Sequence, residues 1–521
     1  MRGTRLHFGV TSWRVRLLGI AGTVALAVLL AGLGGATSAR VTRVSGAKAR
    51  FVGAPCPAGV PANVKHPRCG YLVVPENRAR PGGRKIRLAV LRIPAVSHHS
   101  SGVPLVYLNG GPGSDAIGFA AELVDAGLNR NREVIVLAQR GTYGSKPLLS
   151  CRSLDDFRAN LNRRLDAPST GRGLAAAAAR CRAQLRARGV DLAAFNTTEN
   201  AADVADLRRV LGIRSWDVFA HSYGTDLGLT YMRLYPKGIR SVVLDGTVPP
   251  PVASPGWTWS SFRESFDNLF GACRAQKACR TRYPHIAQTY VHLVNRFEAH
   301  PLRTSVFVPG LKRRIKVMID GGVLVNWLTR QSHFPTTVPL EIDELAHGQP
   351  QRIALQWAEA RAIPPAHRGV FGYGLAYGVW CSEWVPYESS RQQLRLAKRA
   401  FPGFPRSVLA QAPQLTWLPA ICRSWNVPKA PRSIRDVTHS KIPTLAITGT
   451  FDAQTGAQWG AYAARTLSNS KVVELRGVAH GAVANPCGAK VINSFYDNLR
   501  HPDTSCVRSV HPRKFVIGPP Q

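Results

Sequence analysis

Acidic residues are the scarce component of this chain. Its 521 residues hold 30 Asp and Glu against 68 Lys and Arg, for a formal charge of +38. Any function that needs a carboxylate therefore has few candidates. The positive residues are mostly arginine and scattered, with short runs such as Lys312-Arg313-Arg314. No basic helix or nucleic-acid motif collects them, so no specific nucleic-acid partner is expected. A field of this sign instead favours anionic cell-wall polymers or membrane surfaces. The ten cysteines include no C-x-x-C pair, which disfavours zinc. Internal repeats, heptad runs and low-complexity tracts are also missing, which sets aside solenoids, coiled coils and disordered linkers. With 45% hydrophobic residues, the chain has ample material for a large core.

One long apolar run is present, Leu17 to Leu33. A start bearing Arg2, Arg5, Arg14 and Arg16 precedes it, and Ala36-Thr37-Ser38-Ala39 follows. This is the pattern of a secretory signal peptide, expected over residues 1–39. An uncleaved anchor is the alternative, since about 20 apolar residues span a bilayer. No twin-arginine pair precedes the run and no cysteine follows it to carry a lipid. An even number of cysteines agrees with an oxidising compartment, although sequence leaves their connectivity open. Nearest-neighbour pairing would form compact loops: Cys56–Cys69, Cys151–Cys181, Cys273–Cys279, Cys381–Cys422 and Cys487–Cys506.

The segment Trp216 to Thr225 reads as an apolar strand entering a sharp turn at Ser222, with a helix-compatible stretch from Leu227 to Tyr235 beyond it. Small residues, Ala220 and Gly224, flank the serine, so the turn closes and the hydroxyl stands clear: a nucleophile elbow. A serine needs a base to take its proton, and the base needs an orienting acid. Downstream, the buried-strand pattern Ile442 to Gly449 leads to Asp452, and Lys471 to Gly477 leads to His480. All three residues follow strands, on the carboxyl edge where open α/β sheets hold ligands. Asp245, after the strand Val242-Val243-Leu244, is the rival acid; Asp452 is preferred and Asp245 is read as a turn residue.

A fourth part is the loop Asn109-Gly110-Gly111-Pro112-Gly113-Ser114 after the strand Pro104 to Leu108. Backbone N–H groups of such a loop can meet a developing oxyanion. Gly111 and Tyr223 are the expected donors.

These blocks, with Cys69 to Pro75, Gln139-Arg140-Gly141-Thr142, Leu244-Asp245-Gly246 and Ala479-His480-Gly481, give the chain its family likeness. It resembles secreted tripeptidyl aminopeptidases of the prolyl-iminopeptidase-like α/β-hydrolases, from about Cys56 to Val507. The resemblance implies removal of short peptides or single residues from peptide N-termini through an acyl-serine, with no cofactor and no metal. Three positions depart from it. Ala220-His221 stands where Gly-Gly is common, and Ala138 replaces an acid, which would leave Arg140 without its usual neighbour and loosen its loop. Asp226 occupies a place where an aromatic is usual.

The expected fold is α/β, a mostly parallel sheet with helices on both faces and an inserted helical lid. Residues 40–248 form the first part of the core, 249–440 the lid and 441–521 the second part. Within the core, residues 40–68 read as an exposed lead-in, Tyr71–Pro75 and Lys85–Pro94 as an antiparallel pair, and Thr198 onward as a helix stopped at Gly212. An aminopeptidase must also hold a free ammonium group. Glu383, between Trp380 and Trp384, is the first candidate, with Glu341 and Glu344 in reserve. Peptides are the expected substrates and a monomer the expected state. An esterase with the same triad is the nearest alternative. A basic wall-binding protein without turnover is the alternative of another class.

Overall fold

The computed structural model describes residues 49–97, 102–331, 335–362 and 369–519, so the expected signal segment lies outside the described residues. The strands are β1 (Arg50–Gly53), β2 (Arg68–Pro75), β3 (Lys85–Ile93), β4 (Leu105–Leu108), β5 (Val134–Leu137), β6 (Trp216–His221), β7 (Ile239–Asp245), β8 (Leu302–Val308), β9 (Arg313–Ile319), β10 (Thr444–Gly449) and β11 (Ser470–Leu475). Nine of them form one sheet in the order β1-β2-β3-β5-β4-β6-β7-β10-β11. From β5 to β11 every pairing is parallel, and β1, β2 and β3 add an antiparallel edge. Every residue of β4, β5, β6 and β10 is buried, as expected for strands covered by helices on both faces. Along β6, Trp216, Val218 and Ala220 enter one apolar cluster and Phe219 enters the other, one for each face of the sheet.

This topology places the site. The chain leaves β4 for β5 on one side and then returns to β6 on the other, so the crevice at the carboxyl ends of β4 and β6 is a switch point. Gly110 and Ser222 sit at that edge.

The expected pair of strands is present, with Pro75 opposite Lys85. The lead-in, by contrast, is not all exposed coil: β1 pairs with β2, and Cys56–Cys69 pins it there. Four residues, three of them exposed, leave too short an apolar signature to read in advance. The helix Thr197–Val210 starts at Asn196, whose side chain accepts from the Glu199 N–H. All five disulfides follow the nearest-neighbour pattern.

Between β7 and β10 lies a largely helical insertion. The expected amphipathic helices around Cys273 and Cys279 are Thr258–Ala275, Lys277–Arg282 and Ile286–Ala299. They share a core of their own with Phe401 and Phe404. Two features depart from a purely helical lid. The strands β8 and β9 form an antiparallel hairpin. Moreover, Tyr373 to Trp384 and the helix Leu418–Trp425 join the main sheet's apolar cluster rather than the insertion's. No described helix is long and apolar enough to cross a membrane.

Candidate active site

Ser222 leaves β6 at φ 57° and ψ −128° and opens the helix Tyr223–Leu234. A non-glycine residue in this region is strained and persists only where its surroundings hold it. Here the Ser222 N–H donates to the Asp245 carbonyl (2.9 Å), and the Thr225 hydroxyl donates to the Ser222 carbonyl (2.6 Å). Gly224 explains how tightly the turn closes. A Cβ on it would lie 2.0 Å from the Leu108 carbonyl oxygen, so only glycine lets the helix start so near β4.

Asp452 follows β10 and is buried. Its Oδ1 accepts from the N–H groups of Gln454 (2.8 Å) and Thr455 (2.9 Å), which fixes the carboxylate. Its Oδ2 lies 2.8 Å from His480 Nδ1 and accepts from the Thr455 hydroxyl (2.7 Å). That hydroxyl is also 3.1 Å from His480 Nδ1, so Thr455 braces both members of the pair. Thr455 escaped the sequence reading; its only signal is its place three residues after the acid. Burial alone would lower the His480 pKa, but the Asp452 carboxylate, aided by Asp245, raises it above its ordinary 6.5. For Asp452 burial pushes the other way, and the His480 charge and hydrogen bonds hold it below its ordinary 3.8.

Asp245 is not a simple turn residue. It closes β7, is fully buried, and accepts from the N–H groups of Ala482 (2.8 Å) and Val483 (3.0 Å). It thus clamps the loop just after His480. Gly246, at φ +68°, has the imidazole against it: a Cβ there would lie 3.1 Å from His480 Cε1. His221, one of the departures from the family pattern, points inward. Its ring stacks on Phe119 (centroids 5.4 Å apart) and lies 4.8 Å from the His480 ring. Its Nδ1 is 3.8 Å from Asp245.

The loop expected to form the oxyanion hole is braced from below. Asn109 Oδ1 accepts from the Tyr107 hydroxyl (2.7 Å) and the Gly110 N–H (2.8 Å), and Gln139 Nε2 donates to the Asn109 carbonyl (2.8 Å). Gly111, Ser222, Tyr223 and Thr455 line one cavity of about 70 Å³. Trp380, Trp384 and Trp459 also line it, with Gln414 and Leu415. The indole N–H groups of Trp380 and Trp459 are buried and lack a partner. Aromatic walls suit an acyl chain.

Residues 103–332 match the alpha/beta hydrolase fold family, and residues 408–506 match the family of TAP-like proteins. A serine on a strained strand-to-helix elbow of a mostly parallel sheet, with an Asp–His pair past later strands, agrees with both. This chain has the α/β-hydrolase fold. Among curated relatives, it is 28% identical over 224 residues to serine protease Hip1 of Mycobacterium tuberculosis, covering 40% of this chain and 42% of that protein. It is 31% identical over 195 residues to tripeptidyl aminopeptidase of Streptomyces lividans (35% of this chain, 36% of the relative). It is 29% identical over 231 residues to carboxylesterase B of M. tuberculosis (42% and 44%). The match spans less than half the length of each of these relatives.

Glu383 does not line the Ser222 cavity. Its Oε1 accepts from the Thr197 N–H (2.8 Å) and its Oε2 from the Thr197 hydroxyl (2.6 Å), which in turn lies 3.0 Å from the Tyr223 hydroxyl. Burial, with Asp226 nearby, pushes its pKa up to about 8. A carboxyl with both oxygens engaged on Thr197 is poorly placed to anchor an ammonium group. The expectation is corrected: Glu383 caps the Thr197–Val210 helix and braces Tyr223. The reserves fare no better, since Glu341 accepts from Gln356 (2.6 Å) and Glu344 pairs with Arg352 (2.9 Å). Neither lines the cavity.

Arg140, expected to lack a neighbour, is fully satisfied. It donates twice to Asp203 (2.8 Å each) and to the carbonyls of Glu76 (2.7 Å) and Ala194 (2.6 Å), so its loop is anchored rather than loosened. Asp226 is buried beneath Trp384, and burial pushes its pKa up to about 7. One cluster among the described residues has the make-up of a cation site. Asp166, Glu298 and Asp320, all buried, bring carboxylate oxygens within 4.8 Å of one another. Arg164 pairs with Glu298 at 2.8 Å, and none of the three lines the Ser222 cavity.

Proposed function

We propose that this chain is an exported serine exopeptidase that removes short peptides or single residues from peptide N-termini. Ser222 Oγ attacks the scissile carbonyl while His480 takes the hydroxyl proton, and Asp452 keeps the imidazole oriented and stabilises its positive form. The N–H groups of Gly111 and Tyr223 receive the oxyanion. His480 then gives its proton to the leaving amine, the C–N bond breaks, and an acyl-serine remains. Water, deprotonated by His480, repeats the attack and frees the peptide. No step calls for a cofactor or metal.

The observation that carries this reading is the bond between His480 Nδ1 and Asp452 Oδ2 (2.8 Å), on the sheet edge that also holds the Ser222 elbow. The peptidase assignment draws support from the TAP-like match, which includes Gln414, Asp452, Thr455 and His480. Five disulfides favour an oxidising, extracellular setting. The basic surface favours association with anionic wall polymers, and a monomer suffices for the site.

A second reading, an esterase, has its own observation. No carboxylate lines the Ser222 cavity among the described residues, so nothing there would hold a substrate ammonium. Hydrolysis of a free-amine tripeptidyl fluorogenic substrate, its N-acetylated twin and a short acyl ester, with Ser222→Ala as blank, separates the two. Cleavage confined to the free-amine peptide is the expected result; ester turnover alone would assign the chain to esterases.

A further inference from the structure

Beside the Ser222 cavity lies a second, of about 50 Å³, lined by Arg158, Arg163 and Arg361 with Asn160, Trp357 and Gln414. Gln414 belongs to the walls of both. A carboxylate would be the ordinary partner of each arginine, yet none forms an ion pair with Asp or Glu among the described residues. The acid closest in effect is Asp155, whose oxygens already accept from the Gly369 N–H (2.7 Å) and the Tyr373 hydroxyl (2.7 Å).

The arginines are held by aromatic faces instead. Arg163 lies over Phe157 (3.8 Å to the centroid), Arg361 over Trp357 (4.8 Å) and Arg158 over Tyr373 (5.6 Å). Stacking fixes a guanidinium plane without neutralising it. Arg158 also donates to the Tyr377 hydroxyl (3.1 Å). The Nε–H groups of Arg158 and Arg361 are buried without a partner, as is that of nearby Arg330. Burial and mutual repulsion push Arg361 and Arg330 below the ordinary guanidinium range and bring Arg163 down to about 10, whereas Arg158, lowered by burial, is raised overall by Tyr377, Tyr373 and Asp155. Like charges gathered in a cavity are costly unless something negative enters.

We infer that the arginine cavity is a substrate subsite for a carboxylate, so that the preferred substrates of the Ser222 site carry a negative charge alongside the bond that is cut. The inference rests on the serine-hydrolase reading of Ser222 and names its substrate class. Planar guanidinium groups match a carboxylate's two oxygens, and the apolar walls of the cavity suit the methylenes that bear it. The carboxylate comes from an acidic side chain of the peptide or from its C-terminus.

Two arms distinguish these sources. Binding to the intact Ser222→Ala protein is measured by calorimetry for short peptides with Glu or Gln at each position in turn, and for each peptide as free acid or C-terminal amide. Turnover of the same pairs is measured with the active enzyme. The expected result is at least tenfold tighter binding and higher kcat/KM for one carboxylate form. Arg361→Leu and Arg163→Gln should abolish that preference, the loss falling on the charged member of each pair. A Glu/Gln difference assigns the subsite to a side chain, and an acid/amide difference to the C-terminus. Equal binding of all charged and neutral pairs overturns the inference even if turnover is normal. Loss of turnover with the binding preference intact overturns the hydrolase reading and leaves the subsite standing. Melting temperatures identify a variant that fails to fold; the half-exposed Arg163 provides the milder of the two substitutions.

Discussion

At the scale of single residues, the chemistry depends on how His480 is held. Because its pKa is raised, the neutral form that accepts a proton from Ser222 is lost as pH falls through a value above 6.5. A kcat/KM profile should therefore show its acid limb above pH 6.5, and Asp452→Asn should lower activity and move what remains of that limb downward. Thr455→Val removes a hydroxyl that touches both Asp452 and His480. It should reduce kcat/KM roughly tenfold, the worth of one charge-assisted bond of about 1.5 kcal/mol, with KM little changed. Gly246→Ala should lower both stability and activity, since its φ of +68° strains an L side chain and the new Cβ would press on the Thr455 hydroxyl at 2.7 Å and the imidazole at 3.1 Å. Sequence made Ser222 and Asp452 legible because each follows a buried apolar run, and His480 because it follows the short strand pattern Lys471 to Gly477 in the expected chain order. The contacts of Thr455 and of the His221 ring with His480 were not legible, because the imidazole arrives from a loop distant in sequence. Glu383 was legible as buried, since tryptophans flank it, but not in its direction.

At the scale of elements, one of the contacts between the insertion and the core runs through Glu383 and Thr197. Glu383→Ala would strand the Thr197 N–H and hydroxyl and should destabilise by about 1–3 kcal/mol in urea unfolding, with Glu383→Gln closer to the parent. The pH sign follows from the raised pKa. The folded state holds this proton up to about pH 8, whereas the unfolded carboxyl releases it near 4.5. Its contribution to stability is thus present below pH 4.5 and is lost as pH rises through 8. Unfolding at pH 5.5 and 8.5 should show a smaller pH difference for Glu383→Gln than for the parent; an unchanged difference would place the proton elsewhere. Strands were legible wherever burial on both faces makes a continuous apolar run, as in β4, β6 and β10. The hairpin of β8 and β9 was not, because most of its residues are half-buried or exposed and its apolar signal is diluted among arginines.

At the scale of the whole molecule, charge and cross-links set the behaviour. A formal +38 should retain the protein on an anionic polysaccharide resin at low salt and release it near 1 M, where the Debye length is about 3 Å. Retention at 1 M salt would indicate specific contacts rather than a field. Each disulfide restricts the unfolded chain and contributes about 2–4 kcal/mol. Cys487–Cys506 ties down the helix Pro486–Asp497 just after His480, so the double Ser variant should lower both melting temperature and kcat. The most direct test of the account is intact-mass analysis after treatment with a fluorophosphonate. The account predicts one adduct per chain, mapped to Ser222, absent from Ser222→Ala and formed far more slowly in His480→Ala. A folded protein that takes up no adduct, or takes it up at another residue, would contradict it.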